Sequence, residues 1–467
     1  MTKRMFGTAG IRGVTNSEIT PELALRMATV YGDWMSETLG RGPVVGIGHD
    51  TRYGAAMLAR VSAAGLAAAG CSVQEYGCVP TGVFCMNVAR SRLDGGILIT
   101  GSHMPPDRIG FIAMLGDGAY APPDITDRLE ERYRDFDRRS RSVPPERIGV
   151  VEEGLHPFEL YITEVVRLVD ARAIKPRGFR ILIDPANGAG CYVAKELFEW
   201  FGCDVHLIHY DPRPEPERPS EPRAGTVEAA LRATVDHGRD LGLCLDVDAD
   251  RALFITHAGV AVSEDTMGAL FAKETLRRGD LCVVPLNSSG LIEQVCEQVG
   301  ARLEYCEIGQ PATIRAVKSL GAAYSYEESG KYYFAREQLW CDGLYSGVKL
   351  LEIMHRRGKT LAELVAQFPP FQQVKRTIEV EDRAKDEVAA EAARLLENAL
   401  TDGRTRDRTF DGFKRSYQDH SWLLIRKSGT EPIIRVYSDA PSRERAEALV
   451  QEGTKIVEEA IRKVETR

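Results

Sequence analysis

No apolar run in this chain approaches the ~20 residues needed to span a bilayer, and the opening segment Met1 to Phe6 has no apolar signal core. A membrane-spanning or secreted protein is therefore not expected. No C-x-x-C pair occurs and no Cys/His spacing fits zinc, so the ten scattered cysteines predict reduced thiols in a cytoplasmic protein. Neither G-x-x-x-x-G-K-[ST] nor G-x-G-x-x-G is present, which leaves nucleotide cofactors without support. A basic excess is missing too. The net charge is −8, which gives no reason to expect nucleic acid or an acidic membrane surface as partner. What is there is an ordinary globular composition, 43% hydrophobic and 27% charged, in 467 residues. That length allows roughly three or four domains.

One pattern recurs three times: an apolar run, a polar or Gly-rich turn, a helix, and a second apolar run. The first copy runs from Val44 to Ile47, through the turn His49 to Arg52 and a helix to Ala68, into Cys71 to Tyr76. The second joins Arg180–Asp184 to Asp204–Ile208 by a helix ending at Phe201, and the third joins Leu281–Val284 to Arg302–Tyr305 by a helix ending at Val299. Each unit favours a right-handed parallel crossover. The last ~95 residues differ in style. They predict a helix from Asp382 to Leu400, strands at Trp422–Arg426 and Ile433–Tyr437, and a final helix with Ser442 as N-cap. The fold class expected is α/β: three related domains, 1–152, 153–257 and 258–370, and a smaller α+β domain, 371–467. The stretch Arg213 to Pro219 reads as a proline-rich surface loop.

Four loops carry candidate chemistry. Asp246, Asp248 and Asp250 alternate directly after the apolar run Leu243–Leu245. If the backbone stays extended there, three carboxylates share one face and repel, and a divalent cation relieves the repulsion. An EF-hand is excluded, because its glycine and glutamate positions hold Arg251 and His257. The second loop is Thr100-Gly101-Ser102-His103-Met104-Pro105-Pro106, which follows the strand-like Ile97–Ile99. A Gly-Ser turn is ordinarily only a turn, but a serine presented beside a metal loop can accept and donate a phosphoryl group. Third, Arg426-Lys427-Ser428-Gly429-Thr430-Glu431-Pro432 with Arg435 offers hydroxyls, backbone N–H groups and two arginines, the donors a phosphate dianion needs. Fourth, Tyr326-Glu327-Glu328-Ser329-Gly330-Lys331 could hydrogen-bond vicinal hydroxyls.

Together, in this order, the loops resemble the α-D-phosphohexomutase superfamily, which covers phosphoglucomutases, phosphomannomutases and phosphoglucosamine mutases. Phe6 to Gly13 resembles the family's N-terminal signature. The resemblance implies four domains around a central cleft and interconversion of a hexose or hexosamine 6-phosphate and 1-phosphate. In that scheme Ser102 carries the phosphoryl group. Asp246, Asp248 and Asp250 hold Mg2+, which Ser102 also contacts, while Arg12, His103 and Arg251 complete the catalytic group. Glu327 and Ser329 bind sugar hydroxyls. Arg426, Ser428, Gly429, Thr430 and Arg435 grip the phosphate that is not reacting. A sugar bisphosphate is intermediate and activator, the partner is a small-molecule sugar phosphate, and the protein is a monomer or homodimer.

The chain departs from the family pattern at Met104, Ile109, Ile112, Val247, Tyr326, Lys331 and His49. Ile112 stands where the family has a lysine near the reacting hydroxyl, and isoleucine cannot shuttle a proton. Three readings follow. Lys331 supplies the missing cation or base from the facing loop, the substrate is altered towards a pentose phosphate or an unusual hexose, or the chain is a paralogue that binds sugar phosphates with little or no turnover.

Overall fold

The computed structural model describes residues 5–7, 10–138, 143–398, 405–429 and 431–466. Thr8 and Ala9 of the N-terminal signature, Thr430 of the phosphate loop, and the end of the predicted helix at residues 399–400 lie outside the described residues.

All three strand–helix–strand units form, each with parallel strands. Val44–His49 pairs with Ser72–Cys78, Arg180–Asp184 with Asp204–Leu207, and Leu281–Pro285 with Arg302–Cys306. In the first domain Gly95–Thr100 lies on the other side of Val44–His49 and pairs antiparallel with Arg108–Leu115. Its side chains alternate as strand geometry requires. Ile97, Ile99, Ile109 and Phe111 pack under the helices Pro21–Leu39 and Ala55–Ala68, whereas Leu98, Ile112 and Met114 enter the core that the first three domains share. Ile112 is thus a core residue, 2% exposed, and Ile109 is buried on the opposite face.

The second domain has five strands, and its central strand Leu241–Leu245 is buried throughout. It pairs antiparallel with Ala252–Thr256, from Leu241 against Thr256 to Leu245 against Ala252. The six residues Asp246 to Arg251 are therefore the loop of a hairpin, and the chain there turns rather than runs extended. The Ala249 N–H bonds to the Asp246 carbonyl at 3.0 Å, and Ala249 sits at φ 57°. The acids converge through this turn, not through strand alternation.

In the last domain five antiparallel strands pack against Lys385–Asn398 and Arg443–Glu465. The Ser442 hydroxyl caps the final helix by accepting from the Arg445 N–H. Three strands that the hydropathy pattern does not reveal complete the sheet: Gln372–Glu379, Arg406–Arg408 and Phe413–Ser416. Among the described residues no helix is long and apolar enough to cross a membrane.

Candidate active site

Ser102 lies two residues past the end of the strand Gly95–Thr100 and is 2% exposed. Its backbone is left-handed, φ 45°, a conformation that costs a non-glycine residue about 1–2 kcal/mol. Fixed neighbours hold it there. The Ser102 N–H donates to Thr100 Oγ1 (2.9 Å), and the Gly101 N–H donates to Asp50 Oδ2 (2.8 Å). Arg52 Nη2 reaches the carbonyls of Ser102 (2.7 Å) and Met104 (2.5 Å) and Ser220 Oγ (2.6 Å). Gly101 serves close approach: a Cβ there would lie 2.6 Å from the Arg108 carbonyl and 2.9 Å from Arg52 Nε. At position 104 the backbone carbonyl is the anchored group.

The three aspartates of the hairpin loop are all buried, and one oxygen of each lies within 4.8 Å of the others. Their donors come from three domains. Asp246 Oδ2 accepts from Ser102 Oγ (2.9 Å) and its Oδ1 from the Arg251 N–H (3.1 Å). Asp248 Oδ2 accepts from Thr81 Oγ1 (3.0 Å) and lies 2.8 Å from Thr100 Oγ1, which is also 2.8 Å from Asp50 Oδ2. Asp250 Oδ2 accepts from Lys331 Nζ at 2.6 Å. Burial and the neighbouring carboxylates push Asp246 well above the usual carboxylate range and Asp248 up to about 6. Burial acts on Asp250 as well, but the charges of Lys331 and Arg251 outweigh it and hold Asp250 below its usual value.

Asp248 Oδ1 and Asp250 Oδ1 are buried with no hydrogen-bond partner. Two unpaired carboxylate oxygens beside Asp246 and a serine oxygen form a hard, all-oxygen donor set, which suits Mg2+, Mn2+ or Ca2+ and not a thiophilic metal. The residues present thus fit a divalent cation.

Cationic groups line the same place. Arg251 Nη2 donates to His103 Nδ1 at 2.9 Å and its Nη1 pairs with Glu221. Burial, followed by the charges of Arg251, Arg12 and Lys331, drives His103 down to about 2, so the ring is neutral and Nδ1 is an acceptor. Arg12, on the strand Gly10–Val14, is half-buried close enough to Arg251 for the two charges to disfavour each other, and its buried Nε has no hydrogen-bond partner. Lys331 is buried between Asp250 and Gln310 Oε1 (2.7 Å). Burial lowers its pKa, but the charge of Asp250, with Cys341 and Glu327 beside it, outweighs that and raises the pKa, which favours a fixed ammonium over a base.

The loop Tyr326–Lys331 is a hairpin turn that rests on the exit of the metal loop. The Ala252 N–H donates to the Gly330 carbonyl (2.9 Å), and Gly330, at φ 81°, has space only for hydrogen: a Cβ would lie 2.7 Å from the Ala252 carbonyl. Glu327 and Ser329 are half-buried, with Glu327 accepting from the Tyr333 hydroxyl. In the last domain Arg426 and Arg435 stand directly opposite one another on paired strands. Like charges in that register repel. Here Asp411 Oδ1 takes Arg426 Nε (2.8 Å) and Glu431 takes Arg435 Nη2 (2.7 Å). Ser428 is buried at the hairpin turn and its hydroxyl accepts from the Glu431 N–H, whereas Gly429 is exposed.

Sequence reasoning missed the groups that position these loops. Asp50 and Arg52 belong to a turn whose only visible feature is its place after a strand. Arg218 sits inside the proline-rich loop, yet it is buried and ties Asp184 Oδ2 (2.7 Å) to the Leu245 carbonyl (2.7 Å), the last residue before the acids. Val247 is buried with its carbonyl against Gly188, where a Cβ would lie only 2.1 Å from that oxygen. Its φ is not in the left-handed region, so valine is accommodated there. Gly188→Ala should push Val247 aside and destabilise the fold by about 1–3 kcal/mol, as overpacking does. Urea denaturation measures this; an unchanged midpoint would mean that the turn beneath the acids yields freely.

Comparison with known proteins agrees with this geometry. The chain matches the family described as Phosphoglucomutase/phosphomannomutase in four parts: alpha/beta/alpha domain I over residues 3–139, domain II over 159–259, domain III over 263–371, and the C-terminal domain over 377–455. It is 33% identical over 466 residues to a phosphoglucomutase/phosphomannomutase of Thermococcus kodakarensis, covering 98% of this chain and 99% of the relative. A phosphopentomutase of the same organism is 32% identical, covering 99% and 100%. A phosphoglucosamine/phosphogalactosamine mutase of Sulfurisphaera tokodaii is 28% identical, covering 97% and 99%. A phosphoglucomutase/phosphomannomutase family protein from Burkholderia thailandensis shares the fold, with TM-score 0.84 at 24% identity over 98% of each chain. The chain belongs to the phosphoglucomutase/phosphomannomutase family, within the α-D-phosphohexomutase superfamily, and is an enzyme of the isomerase class acting by phosphotransfer.

Proposed function

We propose that this member of the family interconverts the 6-phosphate and 1-phosphate of a hexose or hexosamine in the cytoplasm, with Ser102 as carrier of the phosphoryl group. The observation that carries the reading is Ser102 Oγ, 2.9 Å from Asp246 Oδ2 in a buried acid cluster that has two carboxylate oxygens without hydrogen-bond partners. Transfer from phosphoserine breaks the Oγ–P bond as a sugar hydroxyl oxygen bonds to phosphorus. The proton lost by that hydroxyl balances the one Ser102 Oγ regains. The resulting bisphosphate turns around, and its other phosphate returns to Ser102. Such chemistry depends on positioning and on neutralising spread negative charge. Arg12 and Arg251 would face the reacting phosphoryl group, and Glu327 and Ser329 the sugar hydroxyls. Arg426, Arg435, Ser428, Gly429 and Thr430 would hold the idle phosphate. Asp246, Asp248, Asp250 and the Ser102 oxygen would hold Mg2+, which when bound supplies Lewis-acid neutralisation of phosphoryl charge.

Lys331 takes the role of a fixed cation in this scheme. It does not replace a general base, since Asp250 keeps it protonated. The relatives named for hexose, hexosamine and pentose phosphates are of similar identity, and that similarity supports a second reading, a pentose phosphate substrate.

Phosphorus NMR of the protein with Mg2+, a trace of sugar bisphosphate and separate 6-phosphates of glucose, mannose and glucosamine tests the proposal, with ribose 5-phosphate for the second reading. A 1-phosphate signal that vanishes in Ser102→Ala is expected. No interconversion of any of these by folded protein would sink both readings. A second test addresses Lys331. Without a divalent cation, Lys331→Met should melt at lower temperature than the wild type, because three buried carboxylates lose their ammonium partner. Saturating Mg2+ should then raise its melting temperature by more than it raises that of the wild type. Equal increments would show that Lys331 does not balance the acid cluster.

A further inference from the structure

The loop that would read the sugar is tied at two points to the domain that would hold the idle phosphate. Tyr326 is buried, with its ring against Gly268, where a Cβ would lie 2.5 Å from Tyr326 Cδ2. Its hydroxyl donates to Asp265 Oδ1 (2.7 Å), and Asp265 Oδ2 accepts from Gln373 Nε2 of the last domain at 3.2 Å. Two residues along the loop, Glu328 pairs with Lys375. Gln373 and Lys375 lie two apart on the strand Gln372–Glu379 and so point to the same side.

That strand is bonded along its full length to Ile433–Ala440, with Thr377 opposite Arg435. Arg435 of the phosphate hairpin and both ties therefore sit in one rigid pair of strands. Between Tyr326 and Glu328 lies Glu327, whose side chain points to the other side of the hairpin strand. The pair of ties thus brackets the residue that would hold the sugar hydroxyls.

We infer that Tyr326, Asp265, Gln373 and Lys375 are positioning residues that couple the sugar loop to the phosphate clamp. A phosphate held between Arg426 and Arg435 fixes the last domain, and the strand Gln372–Glu379 then orders the loop around Glu327. This explains why a large aromatic stands at position 326: its ring fills space over Gly268, and its hydroxyl serves the joint between domains. The inference rests on the phosphate-clamp role given above.

Hydrogen–deuterium exchange of the full chain, with and without inorganic phosphate, separates the two. In the wild type, phosphate should slow exchange in both segments 426–435 and 325–333, by ~5-fold or more, the low end of ordinary coupling between sites. In Gln373→Ala/Lys375→Ala, protection at 426–435 should remain and protection at 325–333 should vanish. Tyr326→Phe, which keeps the ring on Gly268 and so tests the hydroxyl without emptying the core, should weaken protection at 325–333 alone. The coupling is overturned if protection at 325–333 persists in the double variant, or if the wild type shows protection only at 426–435. Failure of phosphate to protect 426–435 in the wild type would instead remove the clamp itself, and the coupling with it.

Discussion

Three carboxylates held within 4.8 Å of one another in a buried hairpin loop are the constraint on which the rest of this molecule depends. Like charges in a poorly solvated place are costly unless every oxygen finds a donor or a cation. The donors found here are drawn from separate domains: Thr81, Thr100 and Ser102 from the first, Arg251 from the second, Lys331 from the third. The site is therefore complete only where the first three domains meet. Removing a single partner from such a cluster leaves an uncompensated buried charge, a loss of about 3–5 kcal/mol in comparable pairs.

The same constraint explains where the backbone is strained and what holds it. Ser102 and Ala249 both adopt left-handed conformations, at φ 45° and 57°, on the two loops that face each other. Asp50 and Arg52 fix the first loop, and Arg218 fixes the start of the second through the Leu245 carbonyl. Ser220, two residues after Arg218 and just past the proline-rich loop, accepts from Arg52, so one strap spans both. The last domain is organised differently. Its two facing arginines are neutralised locally by Asp411 and Glu431, and Asp411 Oδ2 also accepts the Ile308 N–H (2.8 Å) of the third domain. Each arginine of the hairpin thus already has its own carboxylate partner.

Much of this was legible in the sequence because it is written in local hydrophobic patterns. Each of the three strand–helix–strand units opens with an apolar run buried on both faces, and Ser442 announces its helix as an N-cap does. The acids were legible as a cluster, but their convergence was not, since a tight turn at Ala249 replaces the extended path that alternate spacing suggests. Three strands of the last domain left no signal, among them Arg406–Arg408, which has no apolar residue. Gln372–Glu379 is largely exposed, with Val374 and Ile378 as its only aliphatic side chains, and Phe413–Ser416 buries Lys414 and Arg415 beneath its neighbours. Long-range pairings were the least visible. Nothing near Lys331 in sequence points to Asp250, and nothing in a proline-rich loop marks Arg218 as a buried anchor. Ile112 was conspicuous as a departure from the family pattern, and its environment is simply the core shared by three domains.

The most direct test of the account is an electron paramagnetic resonance titration of the full chain with Mn2+, a paramagnetic ion suited to the same oxygen donors as Mg2+. One saturable Mn2+ site per chain, displaced by Mg2+ and weakened by more than ~10-fold in Asp248→Asn, is the predicted result. A wild-type protein with no saturable Mn2+ site, or one whose site is indifferent to Asp248→Asn, would contradict the view that these buried acids exist to hold a cation against Ser102.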